Sequence, residues 1–102
     1  MKDTIMIHHI VLFKWKDGTE KSKINDAVRS LNSLKNIVPS ILEIQVSENF
    51  SDRSGGYSHV LVSKFVSKES LDQYQNHPEH QKVVKDKIKP IVDSTLVGDI
   101  QI

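Results

Sequence analysis

The side chains best suited to chemistry are concentrated in one stretch, YQNHPEHQKVV, which begins at Tyr74. His77 and His80 are three residues apart, with Glu79 between them, and such a pair can share one face of a helix and bind a metal ion. However, Pro78 favours the first position of a helix, which places His77 outside the helix at its cap. The stretch also lacks the HExxH pattern of zinc enzymes. We therefore predict that His77 caps a helix and that no metal binds here.

His80 and Tyr74 form the more informative pair. A neutral imidazole with a pKa of about 6.5 can remove an acidic proton beside a carbonyl group. A phenol can donate a hydrogen bond to the oxyanion that develops. His9 and His59 lie on strand faces with apolar neighbours, where a polar group buried without a partner costs about 1–3 kcal/mol. The same pattern also fits partly buried structural histidines, so the sequence leaves open whether the protein is an enzyme.

Composition excludes several functional classes. The chain has 102 residues, a net charge of +1 and no cysteine. This length indicates a single domain, residues 1–102. The charge is nearly balanced and no basic stripe alternates with aromatic residues, so we expect no nucleic-acid partner. Without cysteine there are no disulfides, thiolate nucleophiles or iron–sulfur clusters. With no run of about 20 apolar residues and no convincing signal peptide, we expect a cytoplasmic protein without a membrane partner.

The order of predicted elements is β-α-β-β-α-β, which is typical of a ferredoxin-like α+β fold. Thr19 is the expected N-cap of the first helix, and Ser67 and Pro78 begin the later helical segments. The predicted strands cover approximately residues 5–16, 40–49, 57–67 and 94–102, and the predicted helices cover residues 20–36, 68–76 and 78–89.

The first strand is apolar on both of its faces. Ile7, Val11 and Phe13 point to one side, and Ile10 and Leu12 point to the other. A sheet with one solvated face alternates between apolar and polar residues more cleanly. Two helical segments cover only one face of a four-stranded sheet, so the second face needs another cover. We therefore predict a homodimer formed through the sheet faces, which is a dimeric α+β barrel.

Three segments carry a family resemblance that extends over nearly the whole chain, from Ile7 to Ile102. They are HHIVLFKWKDG near the start, GYSHVLVSKFVSKESLDQYQNHPEHQKVV in the middle and VGDIQI at the end. Together they resemble the stress-responsive dimeric α/β-barrel family, also called the Dabb domain. The resemblance implies a ferredoxin-like subunit that pairs through its sheet into a barrel, with a small-molecule pocket between the sheet and the helices.

The activity implied by the resemblance is less uniform than the fold. Many members are known only as stress-induced proteins, and one plant member is a cofactor-free polyketide cyclase. Its catalytic histidine and tyrosine match His80 and Tyr74, and two further pocket histidines match His9 and His59. This implies that His80 is a general base and that Tyr74 is a carbonyl or oxyanion donor. It also implies that His9 and His59 bind and orient the substrate or His80, and that a small apolar carbonyl compound is the ligand. The alternative is a non-catalytic stress or interaction protein.

The resemblance also bears on cofactors, and we expect none. Some plant relatives hold a magnesium ion at the end of the first helix, where they supply a glutamate. This chain has Pro39 at that position. By analogy of fold alone, other dimeric ferredoxin-like barrels include haem-degrading and quinone-forming monooxygenases, but neither His77 nor His80 belongs to a recognisable haem motif.

Overall fold

The computed structural model describes residues 5–102 and follows the predicted order of elements. A 3₁₀ turn follows the first helix and a π-helical turn follows the third. The strands are β1 (Ile7–Trp15), β2 (Glu43–Glu48), β3 (His59–Phe65) and β4 (Val92–Gln101); the helices are α1 (Lys21–Ser33), α2 (Lys68–Asn76) and α3 (Pro78–Val83).

The four strands form one antiparallel sheet in the order β2-β3-β1-β4. β1 lies at the centre and pairs with β3 on one side and β4 on the other. Non-consecutive strands are therefore neighbours, as the split arrangement of a ferredoxin-like fold requires. The predicted fold class is confirmed. In this register His9 lies opposite Ser63 of β3 and opposite Asp99 of β4.

The inner face of the sheet packs against the helices. Every second residue of β1, from Ile7 to Trp15, is buried, because successive side chains of a strand point to opposite faces. Phe65 of β3 and Leu34, which follows α1, are both 0% exposed. The inner face of β1 is apolar except for His9, which is 5% exposed. A polar ring is therefore held inside the hydrophobic core.

The outer face of the sheet is also apolar, although none of the helices described for residues 5–102 covers it. Val62 of β3 is 47% exposed, and Leu96 and Ile100 of β4 are 53% and 47% exposed. Val62 is paired with Ile10 of β1, and Ile100 is paired with His8. This outer apolar face, defined by Ile10, Val62, Leu96 and Ile100, has the character predicted for the second side of the sheet.

Several predicted boundaries need correction. The N-cap of α1 is Glu20, because the Thr19 hydroxyl instead donates a hydrogen bond to the Lys16 carbonyl at 2.6 Å. The last predicted helix is α-helical only to Val83, and the π-helical turn Val84–Ile88 completes it. β4 begins at Val92, two residues earlier than predicted. Within residues 5–102, the helices are too short or too polar to cross a membrane.

Candidate functional site

Three of the four predicted site residues form one cluster beneath α2 and α3. The ring centroids of Tyr74 and His80 are 4.3 Å apart, and those of His9 and Tyr74 are 6.2 Å apart. Phe65 closes the cluster from below, 5.3 Å from Tyr74. Tyr74 is 1% exposed, whereas His80 is only partly buried. The cluster therefore runs from the core at His9 and Tyr74 outward to His80 near the surface.

Two helix caps place Tyr74 and His80 next to each other. The Ser67 hydroxyl accepts a hydrogen bond from the Ser70 amide and starts α2, whose inward side carries Tyr74. His77 Nδ1 accepts a hydrogen bond from the Glu79 amide at 3.1 Å and starts α3. Both caps satisfy amides that a helix leaves free at its N-terminus. The prediction that His77 is a cap is confirmed, and His80 is thereby placed in the first turn of α3.

The hydrogen bond of His80 determines which of its nitrogens is basic. His80 Nδ1 lies 3.2 Å from the Gln75 carbonyl oxygen. A carbonyl oxygen only accepts hydrogen bonds, so Nδ1 carries the proton and donates it. In the neutral ring Nε2 then holds a free lone pair, as a general base requires.

Asp99 completes the cluster and was not predicted from the sequence. His9 Nδ1 donates a hydrogen bond to Asp99 Oδ1 at 2.5 Å, from β1 to the neighbouring β4. The His9 side chain is 6% exposed and the Asp99 side chain is 45% exposed, so the carboxylate joins the buried ring to the surface. This hydrogen bond leaves His9 Nε2 free and fixes the orientation of the ring.

His59 lies apart from this cluster. It is opposite Phe13 in the sheet, whereas His9 is opposite Ser63. Four residues of strand separate the two positions, or about 13 Å. His59 Nδ1 accepts a hydrogen bond from Trp15 Nε1 at 2.9 Å, and the two rings meet edge to face. The structure therefore does not bring His59 together with His9, Tyr74 and His80, and its contacts are those of a partly buried structural histidine.

Burial shifts the pKa values of the two proposed reacting groups in opposite directions. Burial lowers the pKa of His80 below its ordinary value; the Gln75 carbonyl opposes this shift, and the nearby His9 and His77 add to it. Burial raises the pKa of the Tyr74 phenol. Both shifts favour the neutral forms, because burial disfavours charge. At neutral pH the cluster therefore combines a free imidazole lone pair with a protonated phenol.

These shifts predict that the fold loses stability in mild acid. Burial also lowers the pKa of His59. Below a pH of about 6.5 the unfolded chain binds protons at these two histidines before the folded chain does. Their stabilisation is therefore fully present above that pH and is lost as the pH falls through the lowered folded-state values. Urea unfolding between about pH 7.5 and 5.5 measures this slope. An unchanged slope in the double variant His59→Gln/His80→Gln would contradict the explanation.

The open space near the cluster lies in two surface clefts. One, of about 430 Å³, is lined by Gln75, His80, Gln81, Val84, Lys85 and Lys89. The other, also about 430 Å³, lies towards the end of β4 and is lined by residues that include Leu71, Asp72, Gln75 and Asp99. Gln75 lines both clefts, whereas His9 and Tyr74 lie behind them and line neither. The cluster therefore meets the open space through His80 in the first cleft and through Asp99 in the second.

Within residues 5–102, no group of three or more histidine, aspartate or glutamate side chains is placed so that it could hold a metal ion. His77 Nδ1 is engaged as a helix cap, and His9 Nδ1 is engaged with Asp99.

The chain is a ferredoxin-like α+β domain with a histidine–tyrosine cluster under its second and third helices. Residues 7–102 match the model of the stress responsive A/B barrel domain, Dabb, and the chain belongs to this family. A stress-response A/B barrel domain-containing protein of Arabidopsis thaliana is 39% identical over 95 residues. That match covers 92% of this chain but only 36% of the Arabidopsis protein, so the chain corresponds to about a third of that relative's length.

The chain is also similar to a plant enzyme in sequence and to a bacterial protein in structure. Olivetolic acid cyclase of Cannabis sativa is 24% identical over 76 residues, which cover 72% of this chain and 75% of the cyclase. A crystal structure of a dimeric protein of unknown function and ferredoxin-like fold from Bacteroides fragilis superimposes with a TM-score of 0.83. It is 25% identical, and the match covers 95% of this chain and 96% of that one. The family resemblance noted from the sequence is confirmed.

Proposed function

We propose that this domain binds a small, partly apolar carbonyl compound in the cleft at His80 and removes a proton from the carbon beside the carbonyl group, without a cofactor. One observation carries the proposal. The His80 ring lies against the Tyr74 ring, with 4.3 Å between centroids and a tilt of 47° between the planes, while its Nδ1–H is held by the Gln75 carbonyl. This arrangement fixes a neutral imidazole with Nε2 as its basic atom. The distant likeness to olivetolic acid cyclase supports a reaction of this type.

The proposed step moves one proton and one electron pair. His80 Nε2 takes the proton from the α-carbon and becomes an imidazolium, and the electron pair of the C–H bond moves to the carbonyl oxygen as an enolate. Tyr74 lies behind the cleft and is 1% exposed, so the carbonyl end of the substrate must enter beside the His80 ring for the Tyr74 hydroxyl to donate a hydrogen bond to that oxygen. The raised pKa of Tyr74 keeps this phenol protonated, so it acts as a donor. Asp99 positions His9 behind the phenol through the Nδ1 hydrogen bond.

We also propose that the domain works as a cytoplasmic homodimer that pairs through the outer apolar face. Val62, Leu96 and Ile100 remain about half exposed on that face. Contiguous apolar surface of this kind is typical of an interaction site. The Bacteroides fragilis protein of similar fold is described as dimeric. The helices lie on the other side of the sheet, so this pairing leaves the His80 cleft open.

The proposed reaction is tested by proton exchange. The probe is 1-phenylpropan-2-one in D₂O, whose benzylic protons are followed by NMR at neutral pH. We expect the wild-type protein to accelerate their exchange and His80→Gln to lose about 10²–10⁴-fold of that acceleration. His77→Asn is the matched control, because it removes the neighbouring imidazole while asparagine still caps α3.

Equal rates in wild type, His80→Gln and protein-free buffer would overturn the proposed reaction. That result would favour the alternative of a non-catalytic stress or interaction protein. In that case the buried cluster contributes only to packing, with Tyr74 in the core beside Phe65. His59→Gln is a further discriminating variant. Its distance from the cluster predicts an unchanged exchange rate, whereas a direct role in substrate binding predicts a loss.

A further inference from the structure

The cleft at His80 carries positive charge that the proposed reaction does not use. Besides His80 it is lined by two ammonium groups, on Lys85 and Lys89, and by no carboxylate. The ion pairs found among the side chains of residues 5–102 engage other lysines, namely Lys23, Lys64 and Lys87. Two unpaired cations in one cleft favour an anionic ligand.

The second cleft has the opposite character. Its lining includes the carboxylates of Asp72 and Asp99, with Lys68 as its one cation. Gln75 lies between the two clefts and lines both. A ligand with one anionic end is therefore attracted to the lysine side of His80 and repelled from the aspartate side. The charges of the two clefts therefore determine the orientation in which such a ligand binds.

Resting on the proposed function, we propose that the carbonyl substrate carries an anionic group, a carboxylate or a phosphate, which Lys85 and Lys89 hold while the carbonyl end lies at His80.

The spacing along the chain sets the length of this substrate. Lys85 and Lys89 follow His80 by five and nine residues; Lys85 lies in the π-helical turn that continues α3, and Lys89 is the residue that ends that turn. At the rise of a helix they lie about 7 and 13 Å further along the axis, and each side chain can bend back by several ångströms. Val84 also lines the cleft and provides an apolar contact for a short carbon chain. A compound with a few carbons between its carbonyl and its anionic group fits this arrangement.

The test compares anionic probes with neutral counterparts. 4-Oxopentanoate is compared with its methyl ester, and hydroxyacetone phosphate with hydroxyacetone, in the D₂O exchange assay. We expect half-saturation at lower concentration for the anion of each pair, and a smaller difference at about 0.5 M salt than at about 0.05 M. The two pairs also distinguish carboxylate from phosphate at about 0.5 M salt, where screening reduces the advantage of the greater phosphate charge and the class that the site prefers keeps the larger ratio.

Charge-removing variants locate the anion site. Lys85→Gln and Lys89→Gln should each raise the half-saturating concentration of the preferred anion about 2–5-fold, without changing that of the neutral partner. Lys82→Gln is the matched control, because Lys82 lies on α3 but lines a different cleft. Equal half-saturation for acid and ester in the wild type, or equal effects of the variants on both, would overturn the inference.

A separate measurement distinguishes failure of this inference from failure of the proposed reaction. Binding of 4-oxopentanoate and of hydroxyacetone phosphate is followed by amide NMR shifts in wild type and in the double variant Lys85→Gln/Lys89→Gln. Binding that depends on the lysines, without exchange that depends on His80, would reject the reaction and retain the anion site. Exchange of both probe types without binding that depends on the lysines would retain the reaction and reject the anion site.

Discussion

Tyr74→Ala is expected to lower the free energy of unfolding by about 3–5 kcal/mol, whereas Tyr74→Phe should change it by less than about 1 kcal/mol. Tyr74 is 1% exposed and its ring contacts Phe65, His9 and His80. Alanine would leave a cavity at the point where α2 meets the sheet. Phenylalanine keeps the ring and removes only the hydroxyl. The neighbouring histidines direct their Nδ1 atoms elsewhere, to Asp99 and the Gln75 carbonyl.

Chemical denaturation of the two variants measures the contribution of Tyr74 to stability, and the proton-exchange assay measures its contribution to the reaction. If the hydroxyl stabilises an enolate, Tyr74→Phe should slow probe exchange by about 10²-fold while its unfolding midpoint stays near that of the wild type. Tyr57→Phe is the matched control: it removes the hydroxyl of the other tyrosine, which contacts Ser94 at 3.2 Å. If Tyr74→Phe lowers the free energy of unfolding by several kcal/mol, the hydroxyl stabilises the fold. Unchanged exchange in Tyr74→Phe would remove the phenol from the mechanism.

Most of the fold could be predicted from the sequence, because its determinants are local. The buried alternation of β1 follows from the two-residue period of a strand. Ser67 and Pro78 mark helix starts, and the structure places a cap or a first turn at each. Thr19 is the exception, since its hydroxyl finds a nearer acceptor in the Lys16 carbonyl. A prediction from local sequence fails here because a second hydrogen-bond partner, the Lys16 carbonyl, competes for the Thr19 hydroxyl.

The site was only partly predictable, because its geometry depends on contacts between distant segments. His80 and Tyr74 are close in sequence and share one helical region, so their proximity could be predicted. Asp99 reaches His9 only through the pairing of β4 with β1, a separation of 90 residues. The sequence did contain one indication of this contact, because Asp99 is a carboxylate among apolar residues near the end of the last strand. For His59 the sequence suggested a contact that the structure does not show. His59 and His9 share one face of the sheet, but they lie towards different ends of that face.

The outer apolar face leads to the second large prediction: Val62→Asp should convert the proposed homodimer into a monomer. Val62 lies at the centre of that face, opposite Ile10 of β1, and is 47% exposed in the single chain. In a two-fold pairing of the sheets, both copies of the new carboxylate would be buried without a partner. A penalty of at least about 3 kcal/mol weakens the dimer by at least about 100-fold.

Sedimentation velocity at about 1–50 µM measures this change, since each tenfold loss of affinity moves the dissociation midpoint tenfold in concentration. Asn25→Asp adds the same charge at an exposed position of α1 and should leave the dimer intact. Leu96→Lys tests the same face from β4 with the opposite charge, and circular dichroism verifies that each variant is folded. A dimer that survives both face substitutions would place the interface elsewhere. A wild-type monomer at about 50 µM would mean that the outer face is left to solvent or to another partner.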